Sequence, residues 1–320
     1  MTTRELIGSD LDADLPAVAI ITRTKDRAFM LRRAIDSLLS QDYDDWVHVV
    51  VNDGGDPEPV LALLESKAAQ YRGRLIFLSN SGSLGMEAAS NVGIRNSRSK
   101  YLLIHDDDDS LEASFLSNTV AYLEQTSVTS VAGVVTLSNL VYEQIQGERL
   151  VEQSRCLFRH LAGCVTIGQM AAENQFPPIS FLYRRDVVEE IGLYDEGLPV
   201  LGDWDFNLRF LSRFDIAIIG ERLANYYHRP VTSNPNYSNS VFAGKDKHAL
   251  YDGLIRNAQI RRSQEEGLSA MALLMATARP AYQAPAGKRR YDFIYSVPLV
   301  RPLVRFMRDR GLLLGLTREV

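Results

Sequence analysis

Apolar residues cluster along the first third of the chain in two alternating rhythms. Val18–Ile21, Val47–Val51, Leu75–Leu78 and Tyr101–His105 are short, largely apolar runs rich in β-branched or aromatic residues, and they read as strands. Between them, apolar positions recur every three or four residues. Leu31, Ala34, Ile35 and Leu38 predict a helix over Ala28–Ser40, a second is expected over Pro57–Gln70 with proline in its first turn, and a third over Gly85–Asn96. Strands alternating with helices of this length make βαβ units and a largely parallel sheet. The second half is less regular. Val131–Leu137 and Ile216–Ile219 read as strands and Asp203–Arg213 as a helix. Residues 138–180 give mixed signals broken by Pro177-Pro178. Arg229–Ser240, rich in Pro, Asn and Ser, reads as a loop, and helical spacing resumes from Lys245 to about Glu266.

Composition narrows the class. Hydrophobic residues at 46% and charged residues at 23% suit a soluble globular chain, and 320 residues allow one large domain with an appendage. A net charge of −5 argues against nucleic acid as a partner. Cys156 and Cys164 are too few for a disulfide framework and form no metal motif. The opening residues lack the apolar core of a signal peptide, so a cytoplasmic location is expected. Charge is uneven: residues 286–320 hold eight basic groups against Asp292, Asp309 and Glu319.

Chemistry concentrates where strands end. Asp106–Asp109 follow the fourth strand, and adjacent carboxylates raise one another's pKa. Such a run suits a hard divalent cation shared with substrate phosphates, or else a solvated acidic loop in which Asp109 or Ser110 caps the next helix. Thr22–Arg27 ends the first strand, and Asn52-Asp53-Gly54-Gly55 ends the second. These three segments should share the rim of the sheet where α/β proteins bind ligands. Gly202-Asp203-Trp204-Asp205 opens an amphipathic helix further on. No G-x-G-x-x-G follows the first strand, which disfavours a dinucleotide-binding dehydrogenase.

Taken together, these segments resemble the family-2 glycosyltransferases over roughly residues 15–235. Ile20–Arg27 is similar to the family's opening strand and nucleotide-contacting loop, and Val49–Gly55 to its Asp-Gly turn. Asp106-Asp107-Asp108 fits its DxD motif, and Gly192–Glu196 with Gly202–Asp205 its acceptor-side segment. Two departures stand out. Ala89-Ser90-Asn91 lacks the arginine that often precedes the asparagine, and Gly202 stands where glutamate commonly precedes the catalytic aspartate.

The resemblance implies an α/β protein with a GT-A-type, Rossmann-like mixed and mostly parallel sheet flanked by helices, and a helical C-terminal extension. The expected divisions are a lead-in over 1–14, a nucleotide-sugar glycosyltransferase domain over 15–240 and an extension over 241–320. The expected activity is metal-dependent, inverting transfer of a hexosyl or deoxyhexosyl group. UDP- or dTDP-sugars are favoured as donors, and a glycan or lipid-linked hydroxyl as acceptor, in surface polysaccharide assembly. A non-catalytic nucleotide- or glycan-binding protein of the same fold and a sugar nucleotidyltransferase are the alternatives.

Under the main reading Asp203 is the general base, and Thr24, Arg27, Asp53 and Asp106 hold the nucleotide. Asp106, Asp108 and His228 bind Mn²⁺ or Mg²⁺, and Trp204 faces the acceptor. Blander roles exist for each. Asp53 could shape a turn, Asp203 could cap its helix, Trp204 could pack, His228 could be structural, and Thr24 and Arg27 could simply start a helix; His105 reads as packed within its strand. In the tail, Leu299, Val300, Leu303, Val304 and Met307 form an apolar stripe flanked by Arg301, Arg305, Arg308 and Arg310. Segment 288–316 either lies peripherally on the inner face of an anionic membrane or packs on the catalytic domain or a second copy of the chain.

Overall fold

Unbroken β-branched runs can only be strands covered on both faces, and that is how the parallel part of this molecule is built. The computed structural model describes residues 2–6, 15–147, 149–229, 237, 239 and 245–266. In chain order the first half comprises β1 (Thr2–Leu6), β2 (Val18–Thr24), α1 (Ala28–Leu39), β3 (Trp46–Asp53), α2 (Glu58–Ser66), α3 (Ala68–Tyr71), β4 (Leu75–Asn80), α4 (Met86–Arg95), β5 (Tyr101–Ile104), β6 (Ser110–Leu111) and α5 (Phe115–Gln125). The second half adds β7 (Val131–Gln146), β8 (Arg149–Leu157), α6 (Ile167–Ala172), a 3-10 turn (Pro178–Ser180), β9 (Phe181–Arg184), α7 (Val187–Ile191), α8 (Gly202–Leu211), β10 (Asp215–His228) and α9 (Lys245–Glu266).

One sheet holds all the strands, in the order β1-β4-β3-β2-β5-β9-β7-β10-β6, with β8 paired to β7. Strands β4, β3, β2 and β5 are parallel, β9 runs antiparallel between β5 and β7, and β7 and β10 are parallel to each other. The GT-A-type mixed sheet expected from the sequence is present. Within the segment read as a lead-in, β1 pairs antiparallel with β4. The helix expected over Pro57–Gln70 is divided at Lys67 into α2 and α3.

Burial explains the helix positions. Leu31, Ala34, Ile35 and Leu38 form the inward face of α1, against a core that includes Val18, Ile20, Val50 and Leu103. Each such aliphatic side chain contributes roughly 1.5–3 kcal/mol when fully buried. Helix α4 packs tightly on the sheet: a Cβ on Gly93 would lie 2.4 Å from the buried Ile21 Cγ2, so glycine suits this position.

The chain divides into two compact units. One is residues 1–170 with 174–255; the other is 171–173 with 256–320. In the second, the Arg256 guanidinium donates to the carbonyls of Ala171 and Ala172, both at 2.9 Å. No helix among the described residues is long and apolar enough to cross a membrane. The basic tail lies outside the described residues.

Candidate active site

Parallel pairing aligns the carboxyl ends of the central strands: Thr24 lies opposite Asn52, and Asp53 opposite Asn80. The three rim segments open onto one cavity of about 520 Å³, which Asp203 and His228 also line. Backbone sterics set part of its wall. Gly54 has φ of +75°, and a Cβ there would meet Ser83 N at 2.3 Å. The residues after β3 and β4 therefore interlock. Asp53 holds them together: its carboxylate accepts from Asn80 Nδ2 (3.0 Å), Ser83 Oγ (2.8 Å) and the amides of Leu84 and Gly85. Burial opposes its ionisation, but these donors outweigh burial and hold its pKa below the usual carboxylate value.

Each aspartate of the acidic run has its own partner. Asp106 pairs with Arg23 at 2.8 Å. Asp107 accepts from Thr24 Oγ1 at 2.7 Å and pairs with Arg27 at 3.1 Å. Asp108 pairs with Arg27 at 2.9 Å and with the fully buried Arg229. Asp109 accepts the Tyr227 amide at 2.9 Å and caps no helix, since α5 begins after Ser114 without a side-chain cap. Arg229 also pairs with Glu143 at 2.5 Å, and Glu143 with Arg33 at 2.7 Å. The result is a buried alternating chain, Arg27–Asp108–Arg229–Glu143–Arg33. Burial raises the pKa of Asp107 to about 6 despite Arg27. Against the same burial, Arg27 and Arg229 hold Asp108 below its ordinary value.

Asp203 stands differently. It occupies the first turn of α8, which Leu201 enters with φ of +65°. Its Oδ2 accepts from Asn174 Nδ2 at 2.7 Å and its Oδ1 from the Trp204 amide at 2.8 Å. Among the described residues it makes no ion pair. Burial raises its pKa, Asp106 adds to the rise, and the Trp204 amide and Arg23 oppose it. Trp204, expected at the acceptor, is instead only 2% exposed, does not line the cavity, and donates Nε1–H to the Met170 carbonyl at 2.6 Å. The burial of this ring and its hydrogen bond to the Met170 carbonyl favour the packing alternative.

The first strand, the interlocked Asp-Gly turn, the acidic run and the aspartate of α8 thus meet on one cavity, and a single family model spans the stretch that carries the first three. That model, described as glycosyl transferase family 2, covers residues 19–192. The chain belongs to this family. A "PGL/p-HBAD biosynthesis glycosyltransferase" of Mycobacterium bovis is 29% identical over 198 residues, which is 62% of this chain and 70% of that protein. Among solved structures, S. aureus TarS 1-349 in complex with UDP has a TM-score of 0.58 at 17% identity, over 92% of this chain and 87% of that one. The mannosyltransferase PcManGT from Pyrobaculum calidifontis, solved with GDP-Man and Mn²⁺, has a TM-score of 0.50 at 14% identity, over 94% and 88%. At these identities the two structures support the GT-A fold.

A family-2 glycosyltransferase of this fold invites a divalent cation, and the donor chemistry here suits one. Asp106, Asp108 and His228 all line the cavity. Burial lowers the His228 pKa to about 4, leaving a neutral imidazole that can ligate. Yet among the described residues no three His, Cys, Asp or Glu side chains converge as a metal cage. Arginines hold the carboxylates of the acidic run instead. Two carboxylates completed by substrate phosphates are enough for Mg²⁺ or Mn²⁺, so the residues fit once a guanidinium on Asp108 yields.

The structure also accounts for the two departures from the family pattern. Arg23 donates to Ser90 Oγ at 2.9 Å, which brings a guanidinium from β2 to the position lacking the helical arginine. Against Gly202 lies the Glu87 carboxyl group, from α4. Neither Arg23, Glu87 nor Arg229 was a site candidate from sequence. Arg23 lay inside a recognised motif, but nothing local marks the other two.

Proposed function

We propose that this family-2 member transfers a hexosyl or deoxyhexosyl group, with inversion, from a UDP- or dTDP-sugar to a hydroxyl of a glycan or lipid-linked acceptor in surface polysaccharide assembly. The observation that carries the reading is the contrast between the two acidic regions of one cavity. Asp106–Asp108 are matched by arginines, which suits a diphosphate subsite. Asp203 has a raised pKa and, among the described residues, no ion pair, with Arg23 and His248 acting on it only at a distance, which suits a proton acceptor. The complexes of TarS with UDP-GlcNAc and of PcManGT with GDP-Man support a nucleotide-sugar donor.

In this reading Asp203 takes the proton of the acceptor hydroxyl as that oxygen attacks the anomeric carbon from the face opposite the diphosphate. One direct displacement gives inversion. Thr24 and Arg27 position the nucleotide together with Asp106, and Asp53 does so by fixing the 80–85 loop on the cavity wall. A divalent cation, held by Asp106, Asp108 and His228, would neutralise the leaving diphosphate. Arg27 and Arg229 keep Asp108 ionised for that role.

The test is a panel of UDP-, dTDP- and GDP-sugars assayed for hydrolysis with Mn²⁺, with and without EDTA, for the full chain and for Asp108→Asn. EDTA-sensitive turnover of a UDP- or dTDP-sugar, lost in Asp108→Asn, is expected. Full turnover in EDTA would move diphosphate neutralisation to Arg27 and Arg229. No turnover of any donor would favour the non-catalytic alternative.

A further inference from the structure

Glu87 is a buried carboxyl group that the mechanism above does not use. It sits in the first turn of α4, is 5% exposed, and lines the cavity. Among the described residues no hydrogen-bond donor or ion-pair partner reaches its carboxyl group. Its oxygens open onto the cavity, so the carboxyl group has hydrogen-bonding capacity left for a bound molecule. Its place is nonetheless built. A Cβ on Gly202 would lie 2.3 Å from Glu87 Cδ and 2.4 Å from Oε1, so the carboxyl group rests in a notch left by the missing side chain at 202. Burial raises its pKa to about 7 against the pull of Arg23, with Asp203 adding to the rise.

The notch lies between the two halves of the site. On one side is Gly202, next to the proposed base Asp203. On the other is Arg23, which influences the Glu87 charge and pairs with Asp106. If a diphosphate lies by the acidic run and an acceptor by Asp203, the group between them is the transferred sugar. We infer that Glu87 reads one hydroxyl of the transferred sugar, its carboxyl group in the Gly202 notch forming the hydrogen bond that decides which donor sugar is accepted. This rests on the transferase reading above. A buried polar group satisfied only by the correct substrate discriminates strongly, since an analogue lacking the hydroxyl leaves it unpaired.

The experiment uses the full chain and the donor that it turns over best, with a set of monodeoxy analogues of that donor. The wild type should discriminate against one deoxy position by tenfold or more in kcat/KM. Glu87→Ala should lose discrimination at that position while keeping it elsewhere, and Glu87→Gln should fall between. Gly202→Ala, which displaces the carboxyl group without deleting it, should behave like Glu87→Ala. Affinity for the free nucleoside diphosphate, measured by calorimetry, should stay within twofold in every variant and reports an intact fold. Unchanged discrimination at all positions in Glu87→Ala, with normal nucleotide affinity, overturns the inference and leaves the transferase reading standing. A wild type that binds no nucleotide sugar overturns both.

Discussion

Single carboxyl groups in this cavity differ because their neighbours differ. Asp203→Asn keeps the size of the side chain and one of its two accepted hydrogen bonds, but removes the proton acceptor. Loss of a positioned base typically costs 10²–10⁴-fold, so kcat should fall by that amount with donor affinity unchanged by calorimetry. Loss of donor binding instead would assign Asp203 to the donor subsite. Glu87 makes a separate prediction about stability. Its folded pKa is raised to about 7 from 4.5, chiefly by burial, with Asp203, Asp106 and Asp205 adding and Arg23 opposing. The folded state therefore holds a proton that the unfolded state releases, and stability falls as pH rises from 4.5 to 7. Glu87→Gln escapes this. Its advantage over the wild type should be near zero at pH 4.5 and grow to about 3 kcal/mol above pH 7, by the conversion of 1.36 kcal/mol per pKa unit. Urea denaturation at several pH values checks it, and a gap independent of pH would show that Glu87 ionises freely.

At the level of elements, the chain Arg27–Asp108–Arg229–Glu143–Arg33 ties α1, the acidic run, β7 and the end of β10 together. Removing one member leaves its neighbours charged and buried, which typically costs 3–5 kcal/mol. Glu143→Ala should lose that much in urea unfolding, and a loss below about 1 kcal/mol would mean that water replaces the carboxylate. The same elements show what was legible in the sequence. Strands β2–β5 were readable because both of their faces are covered, so apolar residues run on without a break. The hairpin of β7 and β8 was not, because most of β8 is exposed and carries Arg149, Glu152, Gln153 and Arg155 with no apolar alternation. Strand β9 is only four residues long, too short for periodicity to show. Trp204 was ambiguous for a related reason: a tryptophan beside an acidic motif looks the same whether it faces a ligand or the core.

Across the whole molecule, what could be read was the order of motifs at strand ends, since parallel strands in register bring their carboxyl ends to one rim. What could not be read was the wiring across the sheet. Arg229 meets Asp108 from 121 positions away, and Glu143 meets Arg33 from 110. Those pairings depend on β10 and β7 being neighbours, which no local pattern encodes. The buried histidines give the molecule an acid limit. Burial lowers the pKa of His48 far below its ordinary value and that of His105 to about 4. The unfolded chain takes up protons near pH 6.5 that the folded one refuses, so stability should drop as pH falls from 6.5 toward 4. Thermal melts should show that slope, and a flat profile would place both imidazoles within reach of water.

The notch at Gly202 has an evolutionary consequence. Residues 87 and 202 lie 115 positions apart in the sequence but compete for one volume, so they are a single choice made twice. A lineage that holds glutamate at 87 and gains a larger residue at 202 must swing the carboxyl group out of the notch, because a Cβ at 202 would lie 2.3 Å from Glu87 Cδ. The notch therefore keeps its carboxyl group only while residue 202 has no side chain. Aligned relatives should therefore show the two positions as mutually exclusive in size, and frequent sequences carrying bulk at both would contradict it.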